Sequence, residues 1–186
     1  MRVLLHYGYA FLTDGLGLVL MLLPFYLLGR LLYLAVHKDK TLAGKIQPDR
    51  EVLLLAFFVF LVLLFTQTFV VNSGRNELRL VPLNVITTQI AQMHDSPETV
   101  NEFLFNVVGN IGIFVPVGWF AAAIFRRNLV RTAGIGLLLS LCIEVGQLPL
   151  DRTTDVDDLI LNTTGAVLGY GLYRLLIKLS GAFRRK

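Results

Sequence analysis

VLLLAFFVFLVLLFTQTFVV, Val52–Val71, decides the fold class. None of its residues is charged, and its length matches the roughly 20 residues a helix needs to cross a hydrocarbon layer of about 30 Å. Four other apolar runs of similar length lie around it, at Gly15–Val36, Phe103–Phe125, Thr132–Leu150 and Leu159–Leu179. The pattern predicts an all-α fold, a multi-pass transmembrane helical bundle of about five spans, with residues 1–186 forming a single membrane domain. Composition agrees. The chain is 55% hydrophobic and 16% charged, with a mean hydropathy of +0.66, and a soluble domain of 186 residues would need more charge to cover its surface. The first run is too long for a signal-peptide core and no small-x-small cleavage site follows it, so it reads as a retained span. Cys142 stands alone inside an apolar run, which excludes a disulfide framework and a cysteine-based metal site.

Charge is segregated along this pattern. Of the 17 basic residues, all but Arg2, Arg75, Arg79 and Arg152 fall at one side of a five-span bundle. Lys38, Lys40, Lys45 and Arg50 follow the first span, with Arg30 nearby. Arg126, Arg127 and Arg131 follow the third. Arg174, Lys178, Arg184, Arg185 and Lys186 end the chain. Basic residues in short loops mark the cytoplasmic side, so the N-terminus is expected outside and the C-terminus inside. Most acids lie toward the opposite, outer side; only Asp39, Asp49 and Glu51 share the basic face. A basic face of this kind suits anionic lipid head groups, and no nucleic-acid partner is expected.

The residues that a span should exclude carry the functional signal. Asn106 and Asn110 are four apart in the third span and share one helical face, with Pro116 deeper in the same helix. Such asparagines can simply join helices, for about 1 kcal/mol each. Glu144 and Gln147 share a face of the fourth span. A carboxylate costs roughly 2.5–3.5 kcal/mol at the centre of a span and is a functional candidate by default, although a lock on Arg152 would also account for it.

The densest stretch is DRTTDVDDLILNTTGAVLGYG, from Asp151 to Gly171. Thr154 or Asp155 can cap the helix that starts there, and acids suit its positive end. Capping explains one or two acids, not the whole group beside an arginine. Asn162 lies one turn below Asp158, and Gly165 and Gly169 continue as a small-xxx-small pattern that admits a neighbouring backbone. Short loops bring the last three spans into antiparallel contact. An outward-opening polar pocket is therefore expected, lined by Asn106, Asn110, Glu144, Gln147, Arg152, Asp155, Asp157, Asp158 and Asn162. The intervening segment, Asn72–Glu102, contains the piece Val81-Pro82-Leu83-Asn84 and a possible short helix, which would lie at the interface or dip in as a lid.

Four pieces of this chain resemble the VanZ-like family of bacterial membrane proteins. They are VPLN at Val81–Asn84, NVVGNIGIFVPVG at Asn106–Gly118, Glu144-x-x-Gln147, and RTTDVDDLILNTTGAVLGY at Arg152–Tyr170. The resemblance covers residues 78–173. It implies a location in the bacterial cell membrane and the same set of site residues. It also implies a phenotype class, because the founding member is associated with resistance to teicoplanin, a glycopeptide antibiotic with a lipid tail.

Three functions fit these residues. The first is a non-enzymatic resistance factor at the outer leaflet, whose pocket binds an amphiphile such as a lipoglycopeptide. Its apolar helices would take the lipid tail, its acids would meet cationic or hydrogen-bonding groups, and Arg152 would serve an anionic group. The second is a metal-assisted enzyme acting on a lipid-linked cell-wall precursor. Glu144 would be the candidate general base, and a divalent cation the expected cofactor, on Glu144, Asp155, Asp157 and Asp158. The third is a small transporter or flippase, disfavoured by the lack of an internal repeat. The partners expected in common are the bilayer and a lipid-linked or amphiphilic ligand.

Overall fold

A computed structural model describes residues 2–36, 47–70, 78–92, 96–125, 128–150 and 154–183. The described residues are almost entirely helical and fall into two compact units, Met1–Val71 and Asn72–Lys186. Among them, four helices are long and apolar enough to cross a membrane, over Gly15–Val36, Pro48–Phe69, Pro97–Phe125 and Leu129–Gln147. These coincide with four of the five expected spans. The protein is a helical membrane protein.

The first unit pairs α1 (Arg2–Val36) with α2 (Pro48–Val70). Gly15 is buried where α1 meets α2, its Cα facing the Leu63 side chain. Tyr26 stacks on Phe58 with ring centroids 4.6 Å apart. Arg30 grips Glu51 with both arms of its guanidinium, Nε to Oε2 at 2.8 Å and the terminal nitrogen to Oε1 at 2.5 Å. This two-point geometry ties the end of α1 to the first turn of α2.

The second unit begins with β1 (Leu78–Arg79), then α3 (Asn84–Gln92) and α4 (Pro97–Phe103). Ser96 caps α4 by accepting from the Thr99 N–H. A π-helical turn, Leu104–Val108, joins α4 to α5 (Gly109–Phe125), so that Asn106 lies on an irregular stretch of the third span. After these come α6 (Leu129–Gln147), β2 (Thr154–Asp155) and α7 (Val156–Phe183). The fifth expected span, Leu159–Leu179, lies within α7. The first half of that helix carries Asp157, Asp158, Asn162, Thr163 and Thr164 and is correspondingly less apolar than the other four.

The core of this unit is built from small residues. Val117, Ala121, Ala122 and Ala166 are fully buried, and Phe114 nearly so. Lipid tails are as apolar as these side chains, so burying them gains little by itself. The helices associate through close packing, and glycine and alanine let backbones approach. At Gly118, Gly165 and Gly169 backbone atoms of the opposing helix, α7 or α5, face the Cα, joined at Gly165 by the Phe114 Cβ. The pattern at Gly165 and Gly169 thus serves the contact of α7 with α5. Trp119 meets Tyr173 edge-on at 6.3 Å on the same pair of helices.

Candidate functional site

The polar residues gather where α5 and α7 begin and α6 ends. Two short strands close this region. β1 and β2 pair in parallel, Leu78 opposite Thr154 and Arg79 opposite Asp155. The segment between the second and third spans is therefore fastened to the mouth of α7, which the sequence left open between an interfacial position and a lid.

Asp157 makes the fastening. It is 1% exposed, and its carboxylate accepts from three backbone N–H groups. Leu83 donates to Oδ1, Val85 to Oδ2 at 2.9 Å and Ile86 to Oδ2 at 3.2 Å. The free donors at the start of a helix are usually satisfied by a local serine, threonine, aspartate or asparagine. Here Leu83 precedes the helix and its side chain has no acceptor. It also adopts a left-handed backbone with φ of 64°, which costs a non-glycine residue roughly 1–3 kcal/mol. Asp157 caps α3 from another helix, and as it also sits in the first turn of α7, two positive helix ends converge on its charge.

Asp155 is the N-cap of α7, as one of the two expected candidates, its Oδ1 accepting from the Asp157 N–H at 2.9 Å. Glu144, 4% exposed, reaches it from the last turns of α6, its Oε2 accepting from the Asp155 N–H at 3.3 Å. Gln147 is buried one turn further along. A second, more open row crosses beside this chain. Asn110 donates to Asp158 at 2.5 Å and to the side-chain Oδ1 of Asn106 at 3.5 Å, and Asn106 donates to the side-chain oxygen of Gln89 of α3 at 3.3 Å. Asn162 lies deeper, 5% exposed, with its amide nitrogen 2.9 Å from Ser140 of α6. Eight of the nine expected site residues are thus drawn to one end of the unit. Arg152, the ninth, lies outside the described residues.

Among the described residues, no three His, Cys, Asp or Glu side chains are grouped so as to hold a metal ion. The four carboxylates named as candidate ligands turn to different donors: Asp157 to the start of α3, Asp158 to Asn110, Glu144 to the Asp155 N–H, and Asp155 to the Asp157 N–H. This donor set does not make a shared cradle for a divalent cation. Three participants escaped the sequence reading. Ser140 had a signal, because Thr132, Gly136, Ser140 and Glu144 recur every four residues and are all buried on one face of α6. Gln89 and the backbone donors of Leu83–Ile86 had none.

Burial pushes the Asp155 carboxyl above the usual aspartate range. The hydrogen bond from the Asp157 N–H opposes this, the Asp157 charge adds to it, and the Arg79 charge lowers it again. A carboxyl raised in the folded state binds its proton more tightly there than in the unfolded chain. The linked stability is fully present below the unfolded value of 3.8 and is lost as pH rises through the folded value. Asp155→Asn keeps a capping oxygen and removes this proton. Thermal unfolding of the purified protein across the acid range is expected to show the wild-type midpoint falling relative to that of the variant as pH climbs from 3.8. Parallel curves for the two proteins would show that Asp155 does not titrate in this way.

No curated protein and no solved structure is matched by the chain. A family model described as VanZ/LLP1 matches residues 51–177, a stretch that contains both strands, the capped turn and all nine expected site residues; the protein belongs to the VanZ/LLP1 family.

Proposed function

We propose that the protein is a non-catalytic membrane receptor for an amphiphile, working at the outer leaflet of the bacterial cell membrane. In this reading α7 is a fifth span, the N-terminus faces outward and the basic loops face the cytoplasm. The observation that carries the proposal is the row Gln89–Asn106–Asn110–Asp158. Its side chains are half-buried and joined head to tail by hydrogen bonds, and they lie beside exposed Leu104, Phe105 and Val108. A polar row ending in a carboxylate suits a head group rich in N–H donors or carrying positive charge, while the apolar residues suit a lipid tail. Lipoglycopeptides have this division, which agrees with the phenotype associated with the family's founding member. The four candidate carboxylates turn to separate hydrogen-bond donors, which favours binding over metal-assisted chemistry on a lipid-linked precursor.

Expression in a susceptible Gram-positive host, with inhibitory concentrations measured for teicoplanin and for vancomycin, tests this. Teicoplanin is expected to lose potency severalfold and vancomycin, which lacks the acyl chain, to keep it. Asp158→Asn, matched for abundance in the membrane, is expected to restore teicoplanin sensitivity. If the variant protects as well as the wild type, the row is not the binding site. If neither drug shifts, the resistance role fails.

A further inference from the structure

The stretch Leu80–Gln92 contains no charged residue, and its leading turn displays apolar side chains, with Leu80 63%, Val81 65% and Leu83 49% exposed. Three observations indicate what covers them. The first is level. At about 1.5 Å per residue, Lys178 on α7 lies about 30 Å from Asp158, one hydrocarbon thickness, and the basic residues of α7 sit at that far end. With α7 as a fifth span, the reading proposed above on which this step rests, Asp157 and Asp158 mark the opposite boundary of the hydrocarbon, and the turn held by Asp157 lies at that boundary.

The second is the backbone. From Leu83 to Thr87 every N–H has an acceptor inside the protein. Leu83, Val85 and Ile86 use Asp157, Asn84 uses the Val81 carbonyl at 3.4 Å, and Thr87 uses the Leu83 carbonyl at 2.9 Å. The hydroxyls of Thr87 and Thr88 likewise donate to carbonyls one turn back, each at 2.7 Å. A helix start that needs no water meets the condition for contact with lipid. The third is continuity. Val108, 51% exposed on the adjoining helix, lies within a turn of Asn110, which reaches Asp158, so apolar surface continues onto that helix close to the level of the turn.

We propose that Leu80–Leu83 is a membrane-seated turn, its apolar side chains inserted among the acyl chains of the facing leaflet while Asp157 satisfies its backbone from the protein side. α3 then leads away from the bilayer centre, from the level of Asp157 toward that of Asn106. The proposal holds whether or not an amphiphile binds, and no drug measurement enters its test.

The test uses the full chain with Cys142→Ser and a single new cysteine, Val81→Cys or Thr88→Cys, at two exposed positions. Each is labelled with an environment-sensitive fluorophore and reconstituted in phosphatidylcholine vesicles. Quenching by brominated acyl chains is compared with quenching by iodide present on both faces of the membrane. The probe at position 81 is expected to be quenched severalfold more by brominated lipid than the probe at 88, and to be shielded from iodide. Equal iodide access at the two positions, with no response of the position-81 probe to brominated lipid, would overturn the proposal.

Discussion

Adding one methyl group at Gly118 is expected to destroy the bundle formed by α5 and α7. A Cβ there would stand 1.8 Å from the Ala166 carbonyl oxygen and 2.6 Å from its carbon, so that no rotamer change relieves the clash and one backbone must move. The contact is reciprocal. A Cβ at Gly165 would meet the Ile111 carbonyl oxygen at 2.2 Å, and one at Gly169 the Val115 carbonyl oxygen at 2.0 Å. The three glycines interlock the two helices along one seam, and displacement at any of them loosens the others. Gly118→Ala is expected to cost about 4 kcal/mol or more, the range reserved for gross core disruption. Gly112 and Gly171 have open space around them, and alanine there should stabilise the helix by about 1 kcal/mol. Melting in detergent compares the series. Should Gly118→Ala melt together with Gly171→Ala, the close seam is not present in the folded protein.

Asp157→Ala is expected to have the next largest effect. It removes the acceptor of three N–H groups at once, in a place where the carboxylate is 1% exposed. A buried donor left unpaired costs roughly 1–3 kcal/mol; these three are part-buried, so a loss of about 2–3 kcal/mol in all is expected, concentrated on the start of α3. Asp157→Asn should fall between the two proteins, because it keeps one acceptor oxygen and turns an N–H₂ group toward donors. Hydrogen exchange at Leu83, Val85 and Ile86 separates local release from global unfolding. These amides are expected to exchange faster by a larger factor than those of α5. Unchanged protection at the three positions would show that the carboxylate does not hold them.

Much of the fold is legible because a bilayer constrains sequence more tightly than water does. The uncharged run Val52–Val71 permits little besides a spanning helix, and the helices match the predicted runs to within a turn at most of their ends. In α7 the reading was less direct, since the acids and amides that make its first half informative also reduce its hydropathy. The site was legible wherever a polar side chain broke an apolar pattern, as at Asn106, Asn110, Glu144 and Asn162. It was not legible where the backbone takes part. Nothing in Val81-Pro82-Leu83-Asn84 reveals that its N–H groups seek a carboxylate on a distant helix, and the π-turn at Leu104–Val108 leaves no compositional trace. The face shared by Asp158, Asn162, Gly165 and Gly169 also proved to be divided. Asp158 and the glycines serve α5, while Asn162 turns to Ser140 on α6.

The cap on α3 has a temporal side. Its donors at Leu83 and its acceptor at Asp157 are 74 residues apart, and a ribosome adding about 5–20 residues per second makes the second roughly 4–15 s after the first. Until then the start of α3 has no carboxylate to bind, and β1 has no strand to pair with, because β2 is made in the same late stretch. Two later spans must be delivered to the membrane before either gap is filled. A chain released before residue 154 would leave both gaps unfilled. Both partners come from one short stretch, so the pairing of β1 and the capping of α3 are completed together once residues 154–157 have been made.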